Sequence, residues 1–323
     1  MSDNERFLVT GGAGFIGSNV AENLLDEGHF VRIFDNFLTG KRENIEGFDE
    51  RFGKNFELIE GDLRDRKKVA SATDGIDFIL HQGALPSVPR SVDNPELTNE
   101  INVTGTLNVL TAARERGVKR VIFASSSSVY GDSLELPKNE AMIPSPKSPY
   151  ALQKLTGEFY CRLFYELYGV ETISLRYFNV FGPRQDPAST YAAVIPRFIK
   201  ALLNGNKPVV FGDGKQTRDF TYIDNVVQAN KRACYAPVES CGRAINIACR
   251  RRHSLLDLLS SLEDITGKRA EPEFKPPMPG DVRDSLADIS LAQQLLDFKI
   301  TVGFLQGLKK TVNWYEKTGK KGF

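Results

Sequence analysis

The amino-terminal half of the chain alternates short apolar runs with stretches of helical periodicity. Runs typical of buried strands cover residues 7–10, 30–34, 56–60, 78–81 and 121–125. Residues 97–116 instead carry apolar side chains near helical spacing, and Gly117 is a suitable helix stop. Strands that alternate with amphipathic helices predict right-handed βαβ units and a parallel sheet, and hence an α/β fold.

The pattern changes after a further predicted strand at residues 172–177. Glycine and proline punctuate the sequence in FGPRQDP, NGNKPVVFGDGKQ and KPPMPGD, and predicted helices at 195–203 and 224–234 lie between these loops. We therefore predict a first domain over residues 1–180, rejoined by segments near 218–250, and a smaller C-terminal α/β lobe over residues 181–323.

Composition excludes several classes of partner. The 42 Lys and Arg residues balance 41 Asp and Glu residues, so no net field draws the chain to nucleic acid or an anionic membrane. Four cysteines without CxxC spacing and three scattered histidines predict reduced thiols and no metal. With no basic leader and no apolar run of ~18 residues, we expect a cytoplasmic protein with a small-molecule partner.

A glycine-rich turn follows the first predicted strand. The segment from Gly11 to Gly17, GGAGFIG, joins that strand to a helix ending near Gly28, so backbone N–H groups and a helix N-terminus can approach a pyrophosphate. This order predicts a Rossmann-type, doubly wound sheet that binds a dinucleotide. Asp35 stands 24 residues after Gly11, where a carboxylate favours the ribose of NAD over NADP. Asp62 either meets the adenine or belongs to an ordinary turn.

Tyr150 and Lys154 form a second candidate site. They are four residues apart and share one face of a helix that opens after Ser148-Pro149. A tyrosine with a pKa of ~10 is a poor base at neutral pH, and the charge of a nearby lysine favours its phenolate. Lowering its pKa by about three units requires roughly 4 kcal/mol of differential interaction.

Four motifs carry a resemblance to a known family. TGGAGFIGS, SSSSVYGD, SPYALQK and LRYFNVFGP occur in the order typical of the extended short-chain dehydrogenases/reductases, and the resemblance covers nearly the whole chain. Within that family the chain is most similar to the UDP-hexose 4-epimerases. HQGALPSVPRSV and PGDVRDSLADIS resemble the branch that acts on UDP-N-acetylglucosamine.

The resemblance implies NAD as cofactor, a UDP-sugar substrate and C4 epimerisation through a transient 4-keto sugar. It implies catalytic roles for Ser126, for Tyr150 as the base and for Lys154 as its electrostatic partner. The positions implied around NAD are Gly11, Gly14, Phe15, Ile16, Gly17, Asp35, Asn36, Phe37, Thr39, Gly40, Asp62, Leu63, Gln82, Ala84, Asn102, Tyr150, Lys154, Tyr177 and Phe178. Those implied around the substrate are Ser87, Arg90, Ser126, Ser127, Asn179, Ala193, Val194, Phe211, Arg218, Asp281 and Ser285.

Single positions bear on the choice of substrate. The resemblance implies that a small residue at Ser285, where relatives that exclude acetylated sugars carry tyrosine, leaves room for the N-acetyl group of UDP-GlcNAc or UDP-GalNAc. UDP-Glc and UDP-Gal are then weaker substrates. Met278 stands where the family commonly has arginine, which weakens the expected diphosphate contact from that loop. The resemblance also implies a homodimer built from helices at 97–116 and 150–168.

Four alternatives remain. Related dehydratases carry an Asp-Glu pair at the positions of Ser127 and Ser128, and related uronate decarboxylases carry glutamate at Ser128, so both are ranked below epimerisation. A UDP-uronate 4-epimerase would use Arg90 to meet a carboxylate. A non-enzymatic dinucleotide sensor of this fold would be expected to lack Tyr150 or Lys154.

Overall fold

A computed structural model describes residues 4–187, 193–277 and 283–319 of this chain. Thirteen strands occur in those ranges. They are β1 Arg6–Thr10, β2 Phe30–Asp35, β3 Phe56–Glu60, β4 Phe78–His81, β5 Arg120–Ser126, β6 Glu171–Tyr177, β7 Val180–Phe181, β8 Val209–Phe211, β9 Thr217–Asp219, β10 Thr221–Tyr222, β11 Arg243–Ile247, β12 Arg252–Ser254 and β13 Glu273–Lys275.

Seven of these strands form one central sheet in the order β11-β6-β5-β4-β1-β2-β3, and all of its neighbours run parallel. This arrangement confirms the predicted doubly wound α/β fold. The strand order reverses between β1 and β4, which pair from Phe7–Phe78 to Thr10–His81. In such sheets a crevice opens at the carboxyl ends of the strands at the reversal point, and ligands bind there.

Twelve α-helices lie in the described ranges. They are α1 Phe15–Asp26, α2 Phe48–Phe52, α3 Arg66–Ala72, α4 Val88–Asp93, α5 Pro95–Asn99, α6 Gly105–Arg116, α7 Pro149–Tyr168, α8 Val194–Leu203, α9 Ile223–Cys234, α10 Leu255–Thr266, α11 Ser290–Leu296 and α12 Phe304–Gly319. None of these helices combines the length and apolar character needed to span a bilayer.

Both faces of the sheet are covered, as the near-continuous apolar strands require. Phe7 and Val9 pack on the face covered by α1 and α9, and Leu8 packs on the face covered by α3, α6 and α7. The two apolar clusters on these faces form the core.

The structure differs from the predicted helix over 97–116. Asn94 caps α5, a π-helical turn follows over Glu100–Thr104, and α6 then runs to Gly117, whose φ of 66° provides the stop. Strand β11 joins β6 at the sheet edge after the chain has built β7 to β10. The division into domains near residue 180 stays a prediction.

Candidate active site

The first cavity lies at the carboxyl ends of the central strands and has a volume of about 710 Å³. Sixteen of the positions implied around NAD line it: Gly11, Gly14, Phe15, Ile16, Gly17, Asp35, Asn36, Thr39, Gly40, Asp62, Leu63, Gln82, Ala84, Tyr150, Lys154 and Tyr177. Ser87 and Arg90, implied around the sugar, also line this cavity.

The glycine turn between β1 and α1 has no room for side chains. A Cβ on Gly17 would stand 2.2 Å from the Gly11 carbonyl oxygen, and one on Gly11, whose φ is 65°, would stand 2.6 Å from the Gly83 Cα. Gly14 occupies the N-cap of α1 without a side-chain cap. The first residues of α1 therefore form part of the cavity wall, and their backbone N–H groups have no partner within the helix. This arrangement suits a phosphate.

Asp35 ends β2 at the rim of this cavity. Its carboxylate accepts hydrogen bonds from the Ala13 N–H at 2.9 Å and the Phe37 N–H at 2.8 Å. Burial raises the pKa of Asp35 above its ordinary value, and these two N–H groups oppose the rise. A carboxylate beyond the glycine turn, with further acceptor capacity, fits the ribose of a dinucleotide that lacks a 2′-phosphate.

Asp62 is held by its own neighbours. It accepts hydrogen bonds from the Arg64 guanidinium and from the Asn36 amide, each within 3 Å, and the bonds from Arg64 lower the pKa of Asp62 to about 2. The Arg64 N–H also donates to Asp62 at 2.9 Å. Asp62 thus lines the cavity and also forms an ordinary turn, the second of the two roles that the sequence allowed.

The catalytic candidates meet where α7 begins. Ser148 caps the helix by accepting the Ala151 N–H at 3.2 Å, and Pro149 is its first residue. Lys154 donates to the Ala124 carbonyl at 2.7 Å, and its Nζ lies 5.9 Å from the centre of the Tyr150 ring. The hydroxyl of Ser126, at the end of β5, hydrogen-bonds to Tyr150.

Burial dominates the electrostatics of this group. It raises the pKa of Tyr150 to about 12, against a smaller lowering by the Ser126 hydrogen bond, and it lowers the pKa of Lys154 to about 8. This rise in the pKa of Tyr150 is opposite to the lowering that the sequence predicts. The reason is that the low-dielectric wall disfavours both the phenolate and the ammonium.

The second cavity, of about 470 Å³, adjoins the first. Ala193 lines both, and the segments around 86–90 and 124–128 contribute to each. Seven positions implied around the sugar nucleotide line it: Ser127, Asn179, Ala193, Val194, Phe211, Arg218 and Ser285. Asn179 has a φ of 34° and donates from Nδ2 to Ser285 Oγ at 3.2 Å, so Asn179 and Ser285 are held together in one wall.

Several predicted positions lie elsewhere. Asn102 is buried behind the first cavity, where its side chain bonds both the N–H and the carbonyl of Leu85, so it shapes the 82–85 loop instead of lining the space. Phe178 lines the second cavity and not the first, and Phe37 lines neither. Ser126 lines neither cavity, and its hydroxyl contacts Tyr150, which lines the first. Asp281 and Met278 are outside the described residues.

The structure adds residues to the cavity walls that the sequence did not single out. Ser125 lines the first cavity, as do Lys41 and Asp186, which form a 3.0 Å ion pair between two loops. Tyr130 and Lys138 line the second. Ser125 and Tyr130 belong to the SSSSVYGD motif, which assigned them no role, and Lys41, Asp186 and Lys138 have no sequence signal. Among the described residues no cluster of His, Cys, Asp and Glu suits a metal ion.

Comparison with known proteins gives a consistent result. Residues 7–248 match the model of the NAD dependent epimerase/dehydratase family. The chain is 37% identical over 315 residues to the putative UDP-glucose 4-epimerase of Methanocaldococcus jannaschii. The match covers 97% of this chain and 99% of the relative.

Solved structures resemble this chain over nearly its whole length. The UDP-N-acetylglucosamine 4-epimerase of Methanobrevibacter ruminantium M1, in complex with UDP-N-acetylmuramic acid, has a TM-score of 0.92 and 38% identity, covering 98% of this chain and 100% of that one. The UDP-glucuronic acid 4-epimerase of Bacillus cereus, in complex with UDP-glucuronic acid and NAD, has a TM-score of 0.89 and 34% identity, covering 97% and 99%. The glycine turn, Asp35 and the Tyr150–Lys154 pair therefore belong to a member of the NAD dependent epimerase/dehydratase family, and its cofactor is NAD.

Proposed function

We propose that this chain is a UDP-sugar 4-epimerase that interconverts UDP-GlcNAc and UDP-GalNAc, with UDP-Glc and UDP-Gal as weaker substrates. The observation that carries the proposal is the position of Tyr150 and Lys154 in the wall of the first cavity, next to a second cavity that holds Ser127 and Ser285. A dinucleotide site, a base and a space for a sugar thus adjoin.

The chemistry follows from this placement. Tyr150 takes the proton of the sugar 4-hydroxyl, with Ser126 in hydrogen-bond contact and the Lys154 ammonium favouring the phenolate. The lining of the first cavity would hold NAD, which would supply hydride transfer from C4 and back to the opposite face of the 4-keto sugar. The sugar must turn between these steps, so we assign the grip on the diphosphate to Asn179 and Arg218, which line the second cavity.

Two neighbouring hydroxyls argue against the elimination and decarboxylation alternatives. Ser127 and Ser128 occupy the wall beside Ser126, and neither supplies a proton donor and acceptor of suitable pKa. The presence of both Tyr150 and Lys154 at the first cavity also favours catalysis over a sensor that only binds dinucleotide.

Ser285 supports the acetylated substrate. Its side chain is small, lies in the second cavity and is only half-buried, with Asn179 beside it at 3.2 Å. This leaves space for a substituent next to the sugar ring. The uronate alternative rests on Arg90, which lines the first cavity at its border with the second, and on the similarity to the Bacillus cereus structure.

The test is an NMR time course of the purified protein with UDP-GlcNAc, UDP-Glc or UDP-glucuronate in separate tubes. We expect the anomeric signals of the 4-epimer to appear fastest with UDP-GlcNAc and without added NAD. Turnover of UDP-glucuronate alone would select the uronate epimerase, and turnover of UDP-Glc alone would reject the assignment to Ser285.

The variant Ser285→Tyr tests the assignment directly. A phenol in the second cavity should lower kcat/KM for UDP-GlcNAc by at least about tenfold while UDP-Glc turnover stays within about threefold of the parent. Equal losses on both substrates would indicate general damage to the pocket.

A further inference from the structure

A buried ion pair lies directly behind the catalytic group. Glu158 is on α7, two turns beyond Tyr150 and one turn beyond Lys154, so all three side chains project from one face of the helix. Arg176 on β6 donates to both carboxylate oxygens of Glu158, from Nε at 2.9 Å and from Nη2 at 2.7 Å. Glu158 and Arg176 are 7% and 4% exposed, which makes a removal of either partner costly.

The same carboxylate is tied to the cavity wall. Ser125, which lines the first cavity and precedes the catalytic serine, donates its hydroxyl to Glu158 Oε1. Ser125 is also the ladder partner of Arg176 between β5 and β6. Three elements, β5, β6 and α7, therefore fix Glu158 in one position.

Arg176 is itself anchored from the other side. Its Nη1 donates to the Tyr130 hydroxyl at 2.8 Å, and that hydroxyl donates to Asn246 Oδ1 at 2.7 Å on the edge strand β11. The Asn246 amide in turn donates to the carbonyls of Lys138 and Asp288. A fully bonded network of this kind holds charged groups in one geometry.

Lys154 needs a source of negative charge because burial opposes its ammonium. Burial lowers the pKa of Lys154 to about 8, and nearby Cys161 and Glu158 act in the opposite direction. Burial also raises the pKa of Cys161 to about 12, so this thiol is neutral near pH 8 and contributes no charge there. His81 on β4 is neutral as well, since burial lowers its pKa to about 3. The Glu158 carboxylate, paired with Arg176, is then the group that opposes the effect of burial on Lys154.

We propose that Glu158 is a positioning residue that keeps the Lys154 ammonium charged beside Tyr150, and that Arg176 and Ser125 hold its carboxylate in place for this purpose. The inference deepens the proposed function, because it rests on the use of Tyr150 as the base. A merely structural ion pair would join the same strands without acting on Lys154.

The chain offers a matched control. Arg120 and Glu171 begin the same two strands, β5 and β6, and form an ion pair with Nε to Oε2 at 2.8 Å, at the end of the strands away from the cavity. Glu171→Gln removes a strand-to-strand ion pair and leaves the surroundings of Lys154 intact. Glu158→Gln removes the charge near Lys154 and keeps the side-chain shape.

The direct measurement is a pH titration of lysine side-chain ¹³Cε signals in the holoenzyme, with Lys154 identified by the signal that Lys154→Met removes. In Glu158→Gln we expect the protonation midpoint of Lys154 to fall by about one pH unit. In Glu171→Gln we expect no change. An unmoved midpoint in Glu158→Gln would overturn the proposal.

Kinetics give the second readout. In Glu158→Gln the alkaline limb of the kcat profile should move to lower pH by about one unit, with KM within about threefold of the parent. Glu158→Asp keeps the charge and should restore most of the profile. If Glu158→Gln does not fold, Glu158→Asp carries the test. Because its carboxylate is set back by one methylene, a small fall in the Lys154 midpoint is expected, and a midpoint equal to that of the parent would reject the proposal. If the Lys154 midpoint falls in Glu158→Gln but the parent turns over no UDP-sugar, the proposed function is rejected and this inference stands.

Discussion

The hydroxyl of Tyr150 lies in a wall that favours its protonated form. Burial raises its pKa to about 12, and the Ser126 hydrogen bond opposes this rise. In the proposed mechanism the Lys154 charge and bound NAD also favour removal of the proton. Tyr150→Phe should therefore lower kcat by roughly 10²–10⁴-fold, the usual contribution of a general base, while the protein keeps its fold and its cofactor. Epimer formation by NMR and absorbance of nucleotide released on denaturation provide the two measurements. Turnover within tenfold of the parent would remove Tyr150 from the mechanism.

Asp219 is a buried carboxylic acid between Arg218 and Phe220, two residues that line the second cavity. It accepts the Cys249 N–H at 2.9 Å and the Ala287 N–H at 3.2 Å, and burial raises its pKa from 3.8 to about 6. Because the folded state holds this proton more tightly than the unfolded chain, the contribution of Asp219 to the free energy of unfolding is largest below about pH 4 and falls as pH rises to about 6.

The variant Asp219→Asn has no titratable carboxyl group at this position. Its free energy of unfolding should therefore not show this decline with pH. Between pH 4 and pH 6.5 the parent should lose up to ~3 kcal/mol of stability relative to Asp219→Asn, measured by urea unfolding at both pH values. Asp297→Asn, which removes an exposed carboxylate whose pKa is lowered, should not reproduce this trend. A constant difference between parent and Asp219→Asn would contradict the prediction.

Single residues were predictable where a motif fixes their spacing along the chain. The glycine turn and the Tyr150–Lys154 pair depend on local geometry, which the sequence states directly. Glu158 and Arg176 depend on which residues of α7 and β6 face each other, and that register is set by packing between distant segments. Asn102 shows the same limit, since the sequence does not say whether an amide faces the ligand or the loop behind it.

At the scale of elements, the turn between β1 and α1 is packed too tightly for added side chains. Gly17→Ala would place a methyl group 2.2 Å from the Gly11 carbonyl oxygen, so the turn must shift. We expect a loss of stability of about 1–3 kcal/mol and a marked drop in NAD retained through purification. Gly303→Ala is the control because nothing lies within 4 Å of its Cβ, and we expect at most about 1 kcal/mol there and full NAD retention. Equal retention in both variants would contradict the assigned role of the turn.

The main strands were predictable because each is an apolar run of four to seven residues with clear punctuation. The two- and three-residue strands β7 to β10, β12 and β13 were not, since such short segments carry no period. The π-helical turn over Glu100–Thr104 was also missed, because the apolar spacing there is compatible with an uninterrupted helix.

At the scale of the whole molecule, α7 presents an apolar stripe to solvent. Leu152, Phe159, Leu163 and Leu167 follow helical spacing and are 44–66% exposed, whereas Phe164 on the opposite side is buried. A stripe of this kind on one helix is typical of a surface that pairs with another chain. We therefore propose the homodimer that the family resemblance implies, with α7 at its centre.

The double variant Phe159→Asp/Leu163→Asp should sediment as a monomer at micromolar concentration, while the parent sediments as a dimer, because two carboxylates per subunit would be buried without partners. Leu134→Asp changes a loop residue that is 96% exposed and should leave the dimer intact. A monomeric parent would reject the proposal.

The late return of the chain to the sheet has a consequence for dissection of the protein. Strand β11 covers β6, and the Arg120 guanidinium on β5 donates to the carbonyls of Ala233 and Ala236, far along the sequence. A fragment that stops near residue 180 would leave the β6 edge bare and Arg120 without those acceptors. Such a fragment would aggregate instead of serving as a stand-alone nucleotide-binding module. A split version of the enzyme would have to be cut at a loop that leaves β11 and β6 in the same piece.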